Sequence, residues 1–151
     1  MPSAEGAVPV PVPVPERPPR VGALRLGPCL LPLLAVKYFD HERLDVYSVA
    51  IDWVVLADDV VEQLPRGRGY LADQLQRAAT SIALNIAEGA GEFSGPEKAR
   101  FYRIARRSAT ECAAVLDVVR RLELTSPDRL GAGRDLLLRI VSMLTKLVRS
   151  D

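Results

Sequence analysis

Between Leu75 and Glu111 the chain reads LQRAATSIALNIAEGAGEFSGPEKARFYRIARRSATE, and no other stretch limits its fold as strongly. Two runs of helical periodicity meet there across a glycine-rich break, which makes the segment a helical hairpin. Beyond the break, Phe101, Ala105, Ser108, Cys112, Val115, Val119 and Leu122 recur in strict 4-3 spacing. That heptad pattern is the seam of helices packed nearly parallel to a neighbour. The faces expected to be buried are unusual. They carry Ser81, Asn85 and Glu88 on the first helix, and Ser108 and Glu111 on the second. A buried carboxylate without a partner is costly, so Glu88 is expected to meet an arginine or backbone donors.

Helical periodicity continues on both sides of the hairpin. Leu44, Tyr47, Ile51, Val54, Ala57, Val61 and Leu64 form the apolar stripe of a first helix. Asp40, Glu42 and Asp45 suit its start, and Pro65-Arg66-Gly67-Arg68-Gly69 its stop. The second helix is expected from Tyr70 to Glu88, with Leu71, Leu75, Ala78, Ile82 and Asn85 inward and Gly89-Ala90-Gly91 as a glycine C-cap. Ser94-Gly95-Pro96-Glu97 has the spacing of a capping box with a first-turn proline, and opens a third helix running to about Leu124. Ser126-Pro127 opens a fourth, with Leu130, Leu137, Ile140, Leu144 and Leu147 inward. Each helix has roughly 20 residues or more and is roughly 30 Å long. Short connections force antiparallel neighbours, so residues 37–151 should form an all-α, up-down-up-down four-helix bundle. No segment alternates with the period of a strand. Aromatic residues are only 5% of the chain, which suits packed helices better than a β-sandwich.

Residues 1–36 differ in kind. Most of the prolines fall there, including an alternating VPVPVPVP run. Proline at every second position excludes helix and central strand, so a disordered, polyproline-like tail is expected. Its P-x-P spacing differs from the P-x-x-P of ligands for proline-recognising domains. The apolar run Leu30–Val36 is short, contains Pro32 and lacks a small-residue cleavage site, so a signal peptide is not expected. Globular sequence begins abruptly at Val36-Lys37-Tyr38-Phe39-Asp40. A bacterial GUG start codon reads as valine inside an over-extended frame, so translation is expected to begin at or near Val36.

The motifs now in view resemble those of a known family. R-A-x-x-S-I-x-x-N-I-A-E-G (Arg77–Gly89) resembles its central motif, I-A-x-x-S-A-x-E (Ile104–Glu111) its second, and F-D-H-E-R-L-D-V-Y (Phe39–Tyr47) its usual opening. This is the bacterial four-helix-bundle family first named for open reading frames within intervening sequences of 23S ribosomal RNA. The resemblance spans about Lys37 to Arg149. It implies a compact bundle assembled into a ring, commonly described as a pentamer. It also implies similarity to the accessory variability protein of diversity-generating retroelements, a basic ring that associates with a reverse transcriptase and with nucleic acid. The resemblance implies no established biochemical activity. The proline-rich tail departs from the family pattern, and the net charge of +1 departs from the strongly basic retroelement relative.

Arg77, Ser81, Asn85 and Glu88 share one face of the second helix, followed by Gly89, with Ser108 and Glu111 across the hairpin. A hydrogen-bond network fixing helix register, a subunit interface and a ligand contact all remain open for them. Catalysis finds no support. His41 is the only histidine, so the Glu-x-x-His pairs of di-iron bundles, a histidine zinc site and an assured Ser-His-Asp arrangement are all missing. Gly89-Ala90-Gly91 follows a helix and lacks Gly-Lys-Ser/Thr, so it is not a phosphate loop. No cofactor and no metal are expected. Arg100, Arg103 and Arg107 share a face of the third helix with Tyr102 beside them, and Arg66 and Arg68 decorate the first turn. A solvated, acid-paired face and a phosphate-contacting face both fit these arginines.

Acids outnumber bases from Lys37 to Asp73, and bases outnumber acids from Gln76 to Asp151, an asymmetry that favours self-association or a local basic face. Two readings follow. The first is a non-enzymatic, ring-forming accessory or scaffold protein contacting RNA or DNA through a repeated arginine face, alongside a nucleic-acid enzyme such as a reverse transcriptase. The second is a protein-interaction or structural ring with no nucleic-acid role. Two cysteines, one in the tail and one at a core position, make no disulfide framework, and no apolar run reaches roughly 18 residues. A cytoplasmic protein with no membrane association is therefore expected.

Overall fold

The computed structural model describes residues 38–150. The tail expected to be disordered and the start expected near Val36 lie outside these residues. A 3-10 turn, Asp40–Arg43, leads into α1 (Asp45–Glu62), α2 (Gly69–Gly91), α3 (Gly95–Arg121) and α4 (Pro127–Ser150). Each helix packs on the next and α4 closes on α1, while the diagonal pairs make no close backbone approach. This is the square cross-section of the up-down-up-down four-helix bundle, with no strand among the described residues.

The chain enters the bundle differently from expectation. Glu42 accepts the Phe39 backbone N–H at 2.6 Å and closes the 3-10 turn, and α1 begins only after Leu44. The His41 ring stacks on Phe39 at 5.5 Å and meets Tyr47 edge-on at 4.5 Å. The sole histidine therefore sits in an aromatic cluster at the helix entrance.

On α1 the buried face is Val46, Val49, Ala50, Trp53, Ala57 and Val60. The stripe read from the sequence is rotated about one position from this, roughly 100° of helix; of its members only Ala57 is fully buried. The helix carries apolar residues on more than one side, so periodicity alone does not choose between them. Trp53 decides the rotation: its side chain is the largest in the core and is wholly excluded from water. The indole lies against Gly133 of α4, where an added Cβ would come 3.0 Å from Trp53 and 3.1 Å from Leu116. Trp53 Nε1 has no regular hydrogen-bond partner, and the polar group it addresses is the Cys112 sulfur, a weak acceptor. Burial pushes the Cys112 thiol up to about 12, against a smaller opposing pull from Trp53.

The glycines after the central motif play another part than a cap. Gly89 is buried inside α2, which runs on to Gly91, and Glu92 beyond it is extended. A Cβ on Gly89 would lie 2.7 and 2.9 Å from the Tyr102 ring and 3.2 Å from Phe101 Cβ. Gly89 is thus the point of closest approach between α2 and α3. Positive φ among the described glycines is confined to Gly67, at +90°, in the turn where Arg68 N–H bonds Pro65 C=O at 3.2 Å. The capping box at α3 does not form either. Ser94 is the N-cap without a side-chain bond, and Glu97 pairs with Arg100 at 3.1 Å instead.

The end of α3 is a Schellman motif with the wrong residue in its left-handed position. Leu124 N–H reaches Val119 C=O at 3.1 Å and Glu123 N–H reaches Arg120 C=O at 3.0 Å. Glu123 has φ +53°, the conformation that glycine adopts without penalty. On α4, Leu130, Leu137, Ile140 and Leu144 are buried as expected, and Leu147 is half-buried.

Four stability measurements follow from these contacts. Gly89→Ala should lower thermal stability by about 1–3 kcal/mol through overpacking on Tyr102, although alanine favours helix. Gly91→Ala, with nothing within 4 Å, should instead raise it by up to about 1 kcal/mol. Glu123→Gly should stabilise by about 1 kcal/mol, because glycine removes the left-handed strain. The fourth is a pH dependence. An unfolded thiol ionises near pH 8.5, whereas the folded one holds its proton toward 12. The contribution of Cys112 is thus complete below about pH 8.5 and declines as pH rises toward 12. Urea melts of wild type and Cys112→Ala across that range should show the extra slope in wild type only.

Candidate functional site

The two small and polar faces of the hairpin meet in three rungs. Gln74 Nε2 donates to Glu111 Oε1. The hydroxyls of Ser81 and Ser108 meet at 3.0 Å. Gly89 lies against the Tyr102 ring. Residue numbers rise on α2 as they fall on α3, as antiparallel packing requires. Small side chains at the middle and last rungs let the backbones close up. Asn85 Nδ2 donates to Ser81 C=O at 2.8 Å and to Ser81 Oγ at 3.2 Å. With Ser81 Oγ accepting from Asn85, its own hydrogen is available to Ser108. The network therefore lies within one chain and spans the α2–α3 seam, consistent with a register-fixing role.

The carboxylates differ from expectation. Glu88 and Glu111 are both exposed, and Glu88 makes no hydrogen bond to another described residue. An exposed carboxylate is solvated by water and needs no arginine, which removes the argument for a buried partner. Arg77 does not reach Ser81 or Glu88. Its Nη2 donates to Gln74 Oε1 at 2.6 Å and its Nε to Asp73 C=O at 3.3 Å. Gln74 thereby links Arg77 to Glu111 through its two amide atoms. Gln74 lies one heptad before Ser81, which is the signal that would have placed it on the same seam. Outside the seam, Arg77, Ser81, Leu84, Asn85 and Glu88 line an open trough of about 580 Å³ along α2.

The arginines fall into two groups. Arg100, Arg103 and Arg107 are exposed on the outer face of α3. Tyr102 is not beside them at the surface but buried at 3% exposure, one residue round the helix. Arg100 is held by Glu97, with both side chains largely in water, so the pair contributes little. Arg103 and Arg107 have no carboxylate within ion-pair distance among the described residues. Two heptads beyond Arg107, Arg121 continues the same face, and sequence reading passed over it. From Arg100 to Arg121 the stripe is about 32 Å long.

Arg66 and Arg68 stand apart from that group. They lie in the α1–α2 turn, and Thr125 in the α3–α4 connection bonds Gln63 at 2.9 Å, so both turns share one end of the bundle. Arg100 lies near the opposite end of α3. Arg68 also donates to Tyr70 OH at 3.3 Å. Arg66 and Arg68 thus share an end of the bundle with Arg121, not with Arg100 and Arg103.

Among the described residues no group of three His, Cys, Asp or Glu could hold a metal ion. None of their helices is long and apolar enough to cross a membrane. No curated protein matches the chain. A family model, described as 23S rRNA-intervening sequence protein, matches residues 42–146. That span takes in the α2–α3 seam and all of its rungs, the whole of α1 and most of α4; the chain belongs to the 23S rRNA-intervening sequence protein family.

Proposed function

We propose that this chain is a non-enzymatic accessory protein that self-associates and contacts the backbone of RNA or DNA through the arginine stripe of α3. The observation behind this reading is the set Arg103, Arg107 and Arg121, which share an exposed face without an ion-pair partner among the described residues. The acids of α3 are engaged elsewhere, Glu97 by Arg100, Glu111 by Gln74 and Asp117 by Arg120, which leaves these three arginines unanswered. The stripe's length of about 32 Å is close to one turn of duplex. Phosphate contacts carry no sequence preference, so the expected binding is governed by charge and salt. Self-association multiplies a modest stripe: each copy adds its own contacts, and binding strengthens without new chemistry. The net charge of +1 keeps the remainder of the surface from binding indiscriminately.

The test is a titration of the full chain against structured RNA and duplex DNA at low and moderate salt. Saturable binding that weakens steeply with salt is expected. Arg103→Glu with Arg107→Glu should reduce affinity at least about tenfold and lower the salt slope by about two per copy, with assembly unchanged. Absence of binding even at low salt would overturn the nucleic-acid role and leave an interaction scaffold.

A further inference from the structure

Resting on the self-association in that reading, we infer that copies contact one another through the outer face of α1 on one chain and the outer face of α4 on the next. The two faces are opposite in charge, and each carries exposed apolar residues. Asp45, Asp52, Asp58, Asp59 and Glu62 lie on α1, which carries no base at all. On α4, Arg129, Arg134, Arg139, Lys146 and Arg149 stand against Asp128 and Asp135. Among the described residues no ion pair joins α1 to any other helix; Asp58 accepts a bond from Gln76 Nε2 at 3.2 Å, and no cation among these residues answers the acids of α1.

Each face also has an apolar centre. Val55 is 60% exposed between Asp52 and Asp59, with Ile51 40% exposed beside it. Leu138 is 57% exposed between Arg134 and Arg139. Beside Val55 runs a groove of about 460 Å³ between α1 and α2, with Val54 and Ala79 among its lining and Asp58 and Asp59 at its rim. Leu138 fits that groove as an apolar knob, and its flanking arginines meet the acidic rim. The rotation of α1 described above is what creates this surface. The helix has more apolar residues than its own core uses, and the surplus lies among acids.

Like charge excludes the simplest alternative. An α1 face set against another α1 face brings acid against acid, and α4 against α4 brings arginine against arginine. Of these three pairings only α1 against α4 gives attraction, so the two patches in each contact are different. Asp135 on α4 is the one carboxylate beside Leu138 that opposes the match, and it is outnumbered by Arg134 and Arg139. The arginine stripe of α3 stays clear of this contact and remains open to phosphates.

The experiment is charge reversal on the full chain, read by sedimentation velocity with circular dichroism as the folding control. Wild type should form a defined oligomer at micromolar concentration. Asp52→Arg with Asp59→Arg, and separately Arg134→Glu with Arg139→Glu, should each weaken assembly at least about tenfold. A chain carrying all four reversals should assemble again. That restoration cannot come from misfolding. If wild type assembles and the double variants do so equally well, the α1–α4 contact is overturned while self-association stands. A monomeric wild type would overturn both, and binding of α1 to some other protein would not rescue the inference.

Discussion

The contact between Gly89 and the Tyr102 ring sets the geometry on which the surface chemistry depends. With no Cβ at Gly89, α2 lies directly on the aromatic ring, and any larger residue would drive the helices apart. At that separation Ser81 and Ser108 come within hydrogen-bonding distance. Together these contacts fix the rotation of α3 about its own axis. Once Tyr102, Ala105 and Ser108 turn inward, Arg103 and Arg107 have nowhere to point but outward. The exposed arginine stripe is therefore a geometric consequence of a tightly packed seam on the other side of the same helix.

The polar groups in the bundle follow a consistent physical division. Neutral hydroxyls and an amide occupy the half-buried seam, where each hydrogen bond is worth about 1 kcal/mol and an unpaired group costs more. Carboxylates and guanidinium groups stay in water, where their placement has little effect on folding. Charge on the outer faces is thus free to serve contacts with other molecules. The acids concentrate on α1 and the bases on α3 and α4, and the small net charge conceals this separation.

Several features were legible before any coordinates. The heptad run from Phe101 to Val119 identified the seam, the Pro65–Gly69 break and Ser126-Pro127 placed two connections, and the whole architecture followed from helix number and short links. What escaped reading is equally specific. Gly89 looks like a cap because glycine commonly ends helices, and only the position of a ring on the next helix shows otherwise. The side of α1 that faces inward depends on where one indole fits, which no single-helix period contains. Glu88 and Glu111 occupy seam-like positions in the heptad, yet their longer side chains lean out to water beside the shorter Ser81 and Ser108. The separation of Arg66 and Arg68 from Arg100 and Arg103 depends on which turns share an end, a property of topology. Arg121 was missed because Ala114 holds the heptad position between it and Arg107 and interrupts the run of arginines.

Trp53 is the only tryptophan in the chain, and it reaches from α1 across the diagonal to Cys112 and Leu116 on α3 and Gly133 on α4. Three helices thus converge on one indole, held dry and beside a sulfur atom. Its emission is a built-in optical gauge of the bundle's interior: loosening of any of those helices would admit water to the ring and shift its spectrum. Because the indole lies far from the surface, the same signal is insensitive to what binds outside. Folding and association can therefore be followed separately in one unlabelled sample.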